Sequence, residues 1–180
     1  VMDTRQLLEK PSITAAALSQ ACAGVVSAFG NLSTGGGGTG PGIPENPDGN
    51  ITVYFTLLGG ENHGGDKEPV YIYKEKPSIF QRWIPRTTVT VPIGATVYDV
   101  FTKVLDENGY DYIGADNDYV STIRTPSGLT LSEFSNGPNS GWMYLVNGTH
   151  PNVGLKNYSL KNGDNIVWHY TDDYKREKGS

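Results

Sequence analysis

From residue 51 onward the apolar positions of the chain follow two different periods. Ile51, Val53, Phe55 and Leu57 alternate with Thr52, Tyr54 and Thr56, the pattern of a half-buried strand. A polar, Gly-containing excursion from Gly59 to Lys67 follows, then a short alternating piece, Val70 to Tyr73, and a second strand over Thr87–Ile93. The period then changes to that of a helix. Val97, Val100, Phe101, Val104 and Leu105 recur at i, i+3, i+4, i+7 and i+8, one apolar stripe over three turns. Thr96 with Asp99 three residues on forms an acidic capping arrangement, and Asn108-Gly109 supplies a left-handed stop. Four further short strands are predicted at 119–123, 129–134, 142–146 and 165–171, with tight turns at Asn147-Gly148 and Lys161–Asp164.

The first fifty residues read differently. Leu18, Cys22, Val25 and Phe29 recur at helical steps amid alanines, with Pro11-Ser12 to open the run and Gly30-Asn31 to close it. Residues 31–50 hold four consecutive glycines and then prolines, the composition of a linker. The Gly35–Gly38 run lacks the Lys-Ser/Thr of a phosphate-binding loop and follows no strand. The expected organisation is therefore a helical segment at 1–30, a Gly/Pro-rich linker at 31–50, a domain at 51–174 and a polar tail at 175–180. Two strands, one helix and then several strands make the domain α+β, a β-grasp-like mixed sheet with one core helix.

Composition narrows the function. Charged residues are 18% of the chain, whereas Gly is 23, Pro 11 and Tyr 11, which argues against a helical bundle or coiled coil. Net charge is −5 at pH 7, with no basic cluster beyond Lys175-Arg176, so nucleic acid and polybasic membrane docking are poor partners. The lone Cys22 permits no internal disulfide and no Cys-based metal motif. No apolar run approaches the ~20 residues that span a bilayer. The chain starts at Val1 and is read as a trimmed fragment without its targeting segments.

Candidate chemistry lies near the chain's second half. Trp142 and Tyr144 share a strand face, either as a stacking surface for a flat ligand or as core packing. Trp168 and Tyr170 alternate likewise and are expected to cap the same core. His63 and His150 fall in loops, while His169 alternates against Trp168 and is expected on the exposed face. None has a second ligand at a motif spacing, so no metal is expected. Asp106–Asn117 begins like a calcium loop but has Asp111 where Gly is required and Asn117 where Glu is required. Four N-x-S/T sequons begin at Asn31, Asn50, Asn147 and Asn157. No nucleophile elbow, catalytic Cys signature or paired-carboxylate motif stands out, so an enzyme is not expected.

Three segments together carry a family resemblance: Tyr119–Ile123, Ser140–Gly148 (SGWMYLVNG) and Tyr158–Tyr170 (YSLKNGDNIVWHY). With the entry Val91–Val100 (VPIGATVYDV), they resemble the transcobalamin C-terminal-like family, which includes the bacterial surface domain DUF4430. The resemblance covers roughly residues 51–174 and leaves 1–50 and the excursion 59–82 unmatched. It implies a β-grasp-type fold at the C-terminal part of secreted or cell-surface proteins. In the vertebrate vitamin carriers the equivalent domain closes over one face of cobalamin. Two functions are thus open. One is a non-enzymatic extracellular binding module of a bacterial surface protein that contacts one face of a corrinoid or another flat small molecule through Trp142, Tyr144, Asn147 and His150. The other is a structural or adhesive spacer that presents further domains of a longer surface protein and binds no small molecule.

Overall fold

The computed structural model describes residues 48–66 and 70–178. The helical segment expected over 1–30, and the linker expected over 31–50 up to residue 47, lie outside the described residues. Strands β1 (Asn50–Gly59) and β2 (Gln81–Pro92) form an antiparallel pair, and helix α1 (Val97–Glu107) follows. Strands β3 (Asp111–Ile113), β4 (Thr122–Arg124) and β5 (Thr130–Ser132) make a small antiparallel sheet. The chain then returns to the first sheet with β6 (Gly141–Val146) and β7 (Asn165–Thr171), in the order β2-β1-β7-β6. The first strand lies parallel to the last, and the other pairings are antiparallel. This is the mixed α+β, β-grasp-like sheet with one core helix that the sequence pattern predicts. A short second helix, α2 (Tyr174–Lys178), follows β7.

Alternation decides which way each strand faces. Ile51, Val53, Phe55 and Leu57 of β1 are buried together with Ile166, Trp168 and Tyr170 of β7 and Val89 and Val91 of β2. Against this face α1 lays its whole predicted stripe, Val97, Val100, Phe101, Val104 and Leu105, all buried. The Phe101 ring meets the Trp168 ring at 4.5 Å and the Tyr112 ring edge-on at 5.2 Å. The capping box forms as expected: the Thr96 amide donates to Asp99 Oδ2 at 2.7 Å, and the Asp99 amide donates to Thr96 Oγ1 at 3.4 Å. Gly109, at φ +71°, ends the helix.

The strand boundaries shift where the backbone turns left-handed. The strand expected at 119–123 is shifted to Thr122–Arg124, after a short 3-10 turn at Ala115–Asn117 that ends with Asp118 at φ +64°. The strand expected at 129–134 is confined to Thr130–Ser132, with Phe134 at φ +65°. The short piece at 70–73 is not a strand. Tyr71 and Ile72 are nonetheless buried, and Tyr71 joins Leu58 and Phe80 in a second apolar cluster with Tyr73 and Val167 packed on it. Leu58 and Val167 lie on the sheet face turned away from α1, so the excursion roofs that face.

Because Thr96 satisfies the otherwise orphaned amide of Asp99, Thr96→Ala is expected to destabilise the fold by about 1 kcal/mol. Thr96→Ser should cost much less, and equilibrium urea unfolding of the two variants checks the difference.

Candidate functional site

Strand β6 forms one edge of the large sheet, with β7 as its only strand neighbour there. Its residues alternate between two environments. Trp142 and Tyr144 face the α1 side, opposite Tyr170 and Trp168 of β7, while Met143 faces the roofed side opposite His169.

Trp142 is only 6% exposed. Its indole N–H donates to the Leu131 carbonyl at 3.0 Å, and its ring lies 5.5 Å from Trp83 and 5.3 Å from Tyr170. A hydrogen-bonded indole in a ring cluster is chiefly a core group. Tyr144 is different. It is half-buried, stacks on Trp168 at 5.2 Å and 24°, and donates its hydroxyl to the Val153 carbonyl at 2.8 Å. Burial, with the Asp118 charge nearby, pushes its phenol up to about 12, so the hydroxyl is a donor at neutral pH.

Beside Tyr144 opens a cleft of about 400 Å³, lined by Tyr144, Trp142, Trp168, His150, Val153 and Asp118 among others. Its outer wall is the loop 150–157, held by Asp118. That carboxylate accepts from the Lys156 amide at 2.6 Å and the Asn157 side chain at 2.5 Å. The loop passes so close that a β-carbon on Gly154 would sit 1.9 Å from Asp118 Oδ2. Lys156 adds a donor bond to the Asp116 carbonyl at 2.6 Å and lies over the Tyr98 ring.

His150 stands at the end of this cleft, half-buried, with Nδ1 3.0 Å from the Tyr144 carbonyl oxygen. A carbonyl only accepts, so Nδ1 carries the proton and the lone pair lies on Nε2. The same ring lines a second cleft of about 470 Å³, shared with Tyr73, Lys74, Leu145, Thr149 and Glu177. Asn147 lines neither cleft. It starts the turn after β6 at φ +52°, donates to Asp164 Oδ1 at 2.8 Å and accepts from the Asn165 amide at 2.9 Å. Its amide ties the β6 and β7 turns together. The structure thus brings Trp142, Tyr144 and His150 to one cleft and leaves Asn147 beyond its end.

Two histidines depart from the sequence expectation. His169, expected on an exposed face, is fully buried because the excursion and α2 cover that face. Tyr73 stacks on its ring at 5.0 Å and Phe80 meets it edge-on at 6.0 Å. Burial, reinforced by the neighbouring His150, lowers its pKa to about 3, so the imidazole is neutral. Nδ1 lies 3.3 Å from the Tyr170 carbonyl, and Nε2 is buried with no hydrogen-bond partner. Such an unsatisfied group costs about 1–3 kcal/mol. His63, expected as a solvated loop residue, instead pairs with Asp172 at 3.0 Å with both side chains nearly buried. Asp172 also accepts from the Tyr71 amide at 2.7 Å and the Asn136 side chain at 3.0 Å, which straps the excursion to the end of β7.

Among the described residues, the group able to hold a metal ion is His150, His169 and Glu177. Glu177 had no signal in the sequence, where it sits in a polar tail. A signal for the burial of His169 was present in the apolar run at 70–73, which needs a sheet face to cover.

The comparisons with known proteins bear on this same region. Residues 94–172 match the model of the family described as Domain of unknown function (DUF4430). The match covers under half of the chain. It runs from the turn before α1 through the end of β7 and so contains β6, the 150–157 loop, His150 and His169. No curated protein matches the chain. Among solved structures, haptocorrin in complex with Cbi is 20% identical with a TM-score of 0.42, over 69% of this chain and 25% of that one. The chain thus spans about a quarter of the length of haptocorrin. A candidate metal-binding protein from Ruminococcus gnavus ATCC 29149 is 11% identical with a TM-score of 0.33, over 69% of this chain and 99% of that one.

Within the matched segment the cleft wall depends on the contact between Gly154 and Asp118. Gly154→Ala is expected to destabilise it by about 1–3 kcal/mol, the range for overpacking. In an Asp118→Gly background the same change should cost markedly less, which a double-mutant cycle by denaturant unfolding measures.

Proposed function

We propose that this chain is a non-enzymatic, extracellular binding module of a bacterial surface protein, and that it takes one face of a flat small molecule in the cleft beside β6. The observation that carries this reading is the half-exposed Tyr144 ring, fixed by Trp168 behind it and by its hydroxyl bond to Val153, at the wall of a concave surface. A spacer with no ligand has no use for a rigid aromatic face left open beside a cleft, since such groups gain more by burial. Trp142 forms the floor, His150 offers a nitrogen at the cleft end, and Asn147 positions the turn that carries His150.

The cleft is shallow and open on one side, which suits contact with one face of a planar ligand. A second domain of a longer protein would cover the other face. The ligand class to test first is a corrinoid, on the strength of the sequence resemblance to the transcobalamin C-terminal-like family.

Titration of the chain with cobinamide and with hydroxocobalamin, followed by calorimetry and the visible spectrum, tests this reading. Micromolar or tighter binding is expected, about −8 kcal/mol or better. Tyr144→Ala should weaken it by about tenfold or more, roughly the 1.4 kcal/mol that a lost stacking face is worth. Tyr144→Phe should retain most of the affinity. Absence of binding at millimolar ligand overturns the corrinoid assignment and favours the structural or adhesive spacer.

A further inference from the structure

We propose that His150, His169 and Glu177 form a binding site for a divalent transition-metal ion, zinc foremost, on the sheet face turned away from α1. The three come from separate elements: the loop after β6, the middle of β7, and α2. One imidazole nitrogen from each histidine and one carboxylate oxygen of Glu177 all lie within 4.8 Å of one another. The edge of a tetrahedral zinc site with bonds of about 2.0–2.1 Å is roughly 3.3 Å, so the three donors would draw closer together on binding an ion. His150 stands half-buried in the loop after β6.

The donor chemistry is set for a metal. Both histidines place Nδ1 against a backbone carbonyl, Tyr144 for His150 and Tyr170 for His169, which leaves the lone pair on Nε2 in each. Metal-binding histidines are usually oriented this way by the second ring nitrogen. Among the described residues, His169 Nε2 is one of four buried side-chain polar atoms without a hydrogen-bond partner, and the one that stands in this cluster. Glu177 is fully buried at its side chain. It accepts from the amides of Tyr73 and Lys74, which aim the carboxylate.

His169 Nδ1 stands 3.7 Å from Glu177 Oε1, beyond a hydrogen bond. A buried carboxylate is better offset when a bound cation joins it. Two imidazoles and one carboxylate make a set that suits zinc and its first-row neighbours better than magnesium or calcium. His150 and Glu177 also line the second cleft, which would give an ion a path to the cluster. Sequence spacing could not show this site, because no two of its residues lie one helical turn or one strand pair apart.

The proposal is independent of any corrinoid, so the probe is the metal ion alone. The chain is treated with chelator and then titrated with zinc sulfate by calorimetry and thermal melting, and with cobalt(II) by visible absorption. Expected are one ion per chain at micromolar affinity or tighter, a rise in Tm with zinc concentration, and the d–d absorption of tetrahedral cobalt without a thiolate charge-transfer band. His150→Gln, whose half-exposed position leaves the fold intact, should weaken binding at least about tenfold. Glu177→Gln should do the same, and His63→Gln, which belongs to the Asp172 network, should leave it unchanged. No Tm shift and no cobalt spectrum at millimolar metal overturns the proposal. So does a thiolate band, which points to Cys22, or binding undiminished in His150→Gln.

Discussion

Everything in the described fold depends on β7 being buried on both of its faces. It pairs parallel with β1 and antiparallel with β6, so it lies inside the sheet. Trp168 and Tyr170 look toward α1, while His169 and Thr171 look the other way, and all four are buried. Parallel strand pairs are stable when covered on both sides. One cover is α1, whose amphipathic stripe is complete. The other has to come from the long excursion and from α2, neither of which is apolar enough to be held by hydrophobic contact alone.

That second cover is fastened by charge. Asp172 and Glu177, just past the end of β7, reach across to backbone amides of the excursion at Tyr71, Tyr73 and Lys74. Bonds to a charged acceptor contribute about 1.5–3 kcal/mol each, enough to order a short segment whose buried side chains among the described residues include Tyr71, Ile72 and Phe80. The same fastening explains why polar groups are concentrated there. His63, Asn136 and Asp172 form one linked network, and Glu177 with the amides of Tyr73 and Lys74 forms another, beside His169. Two acidic residues in a polar C-terminal stretch are thus what converts a one-layer β-grasp sheet into a sheet with two covered faces.

The α1 side was legible in the sequence because its signals are local and periodic. The alternation at Ile51–Leu57, the stripe from Val97 to Leu105 and the Thr96–Asp99 pair each state their own structure within a few residues. The pairing of Trp142 with Tyr170 and of Tyr144 with Trp168 follows from the same alternation. The opposite face was not legible, because its cover consists of irregular backbone held by contacts about a hundred residues apart, as between Tyr71 and Asp172. Alternation correctly turned His169 away from the α1 core, but nothing local states that a loop lies over it. The cleft was half legible. The aromatic strand and the Asn147-Gly148 turn pointed to it, whereas the Asp118–Gly154 contact that shapes its wall depends on a left-handed Asp that no pattern announces.

The position of β6 explains why two clefts arise in one place. An edge strand offers one face to each side of the sheet and has a row of backbone groups with no strand partner. Here the 150–157 loop doubles back over that edge, and the His150 ring takes up the Tyr144 carbonyl. Tyr144 then serves the cleft on the α1 side and Leu145 the cleft on the roofed side, while His150, at the end of the strand, reaches both. One imidazole at the end of an edge strand is thus common to both clefts, which is a consequence of the edge position and not of any feature inside the sheet.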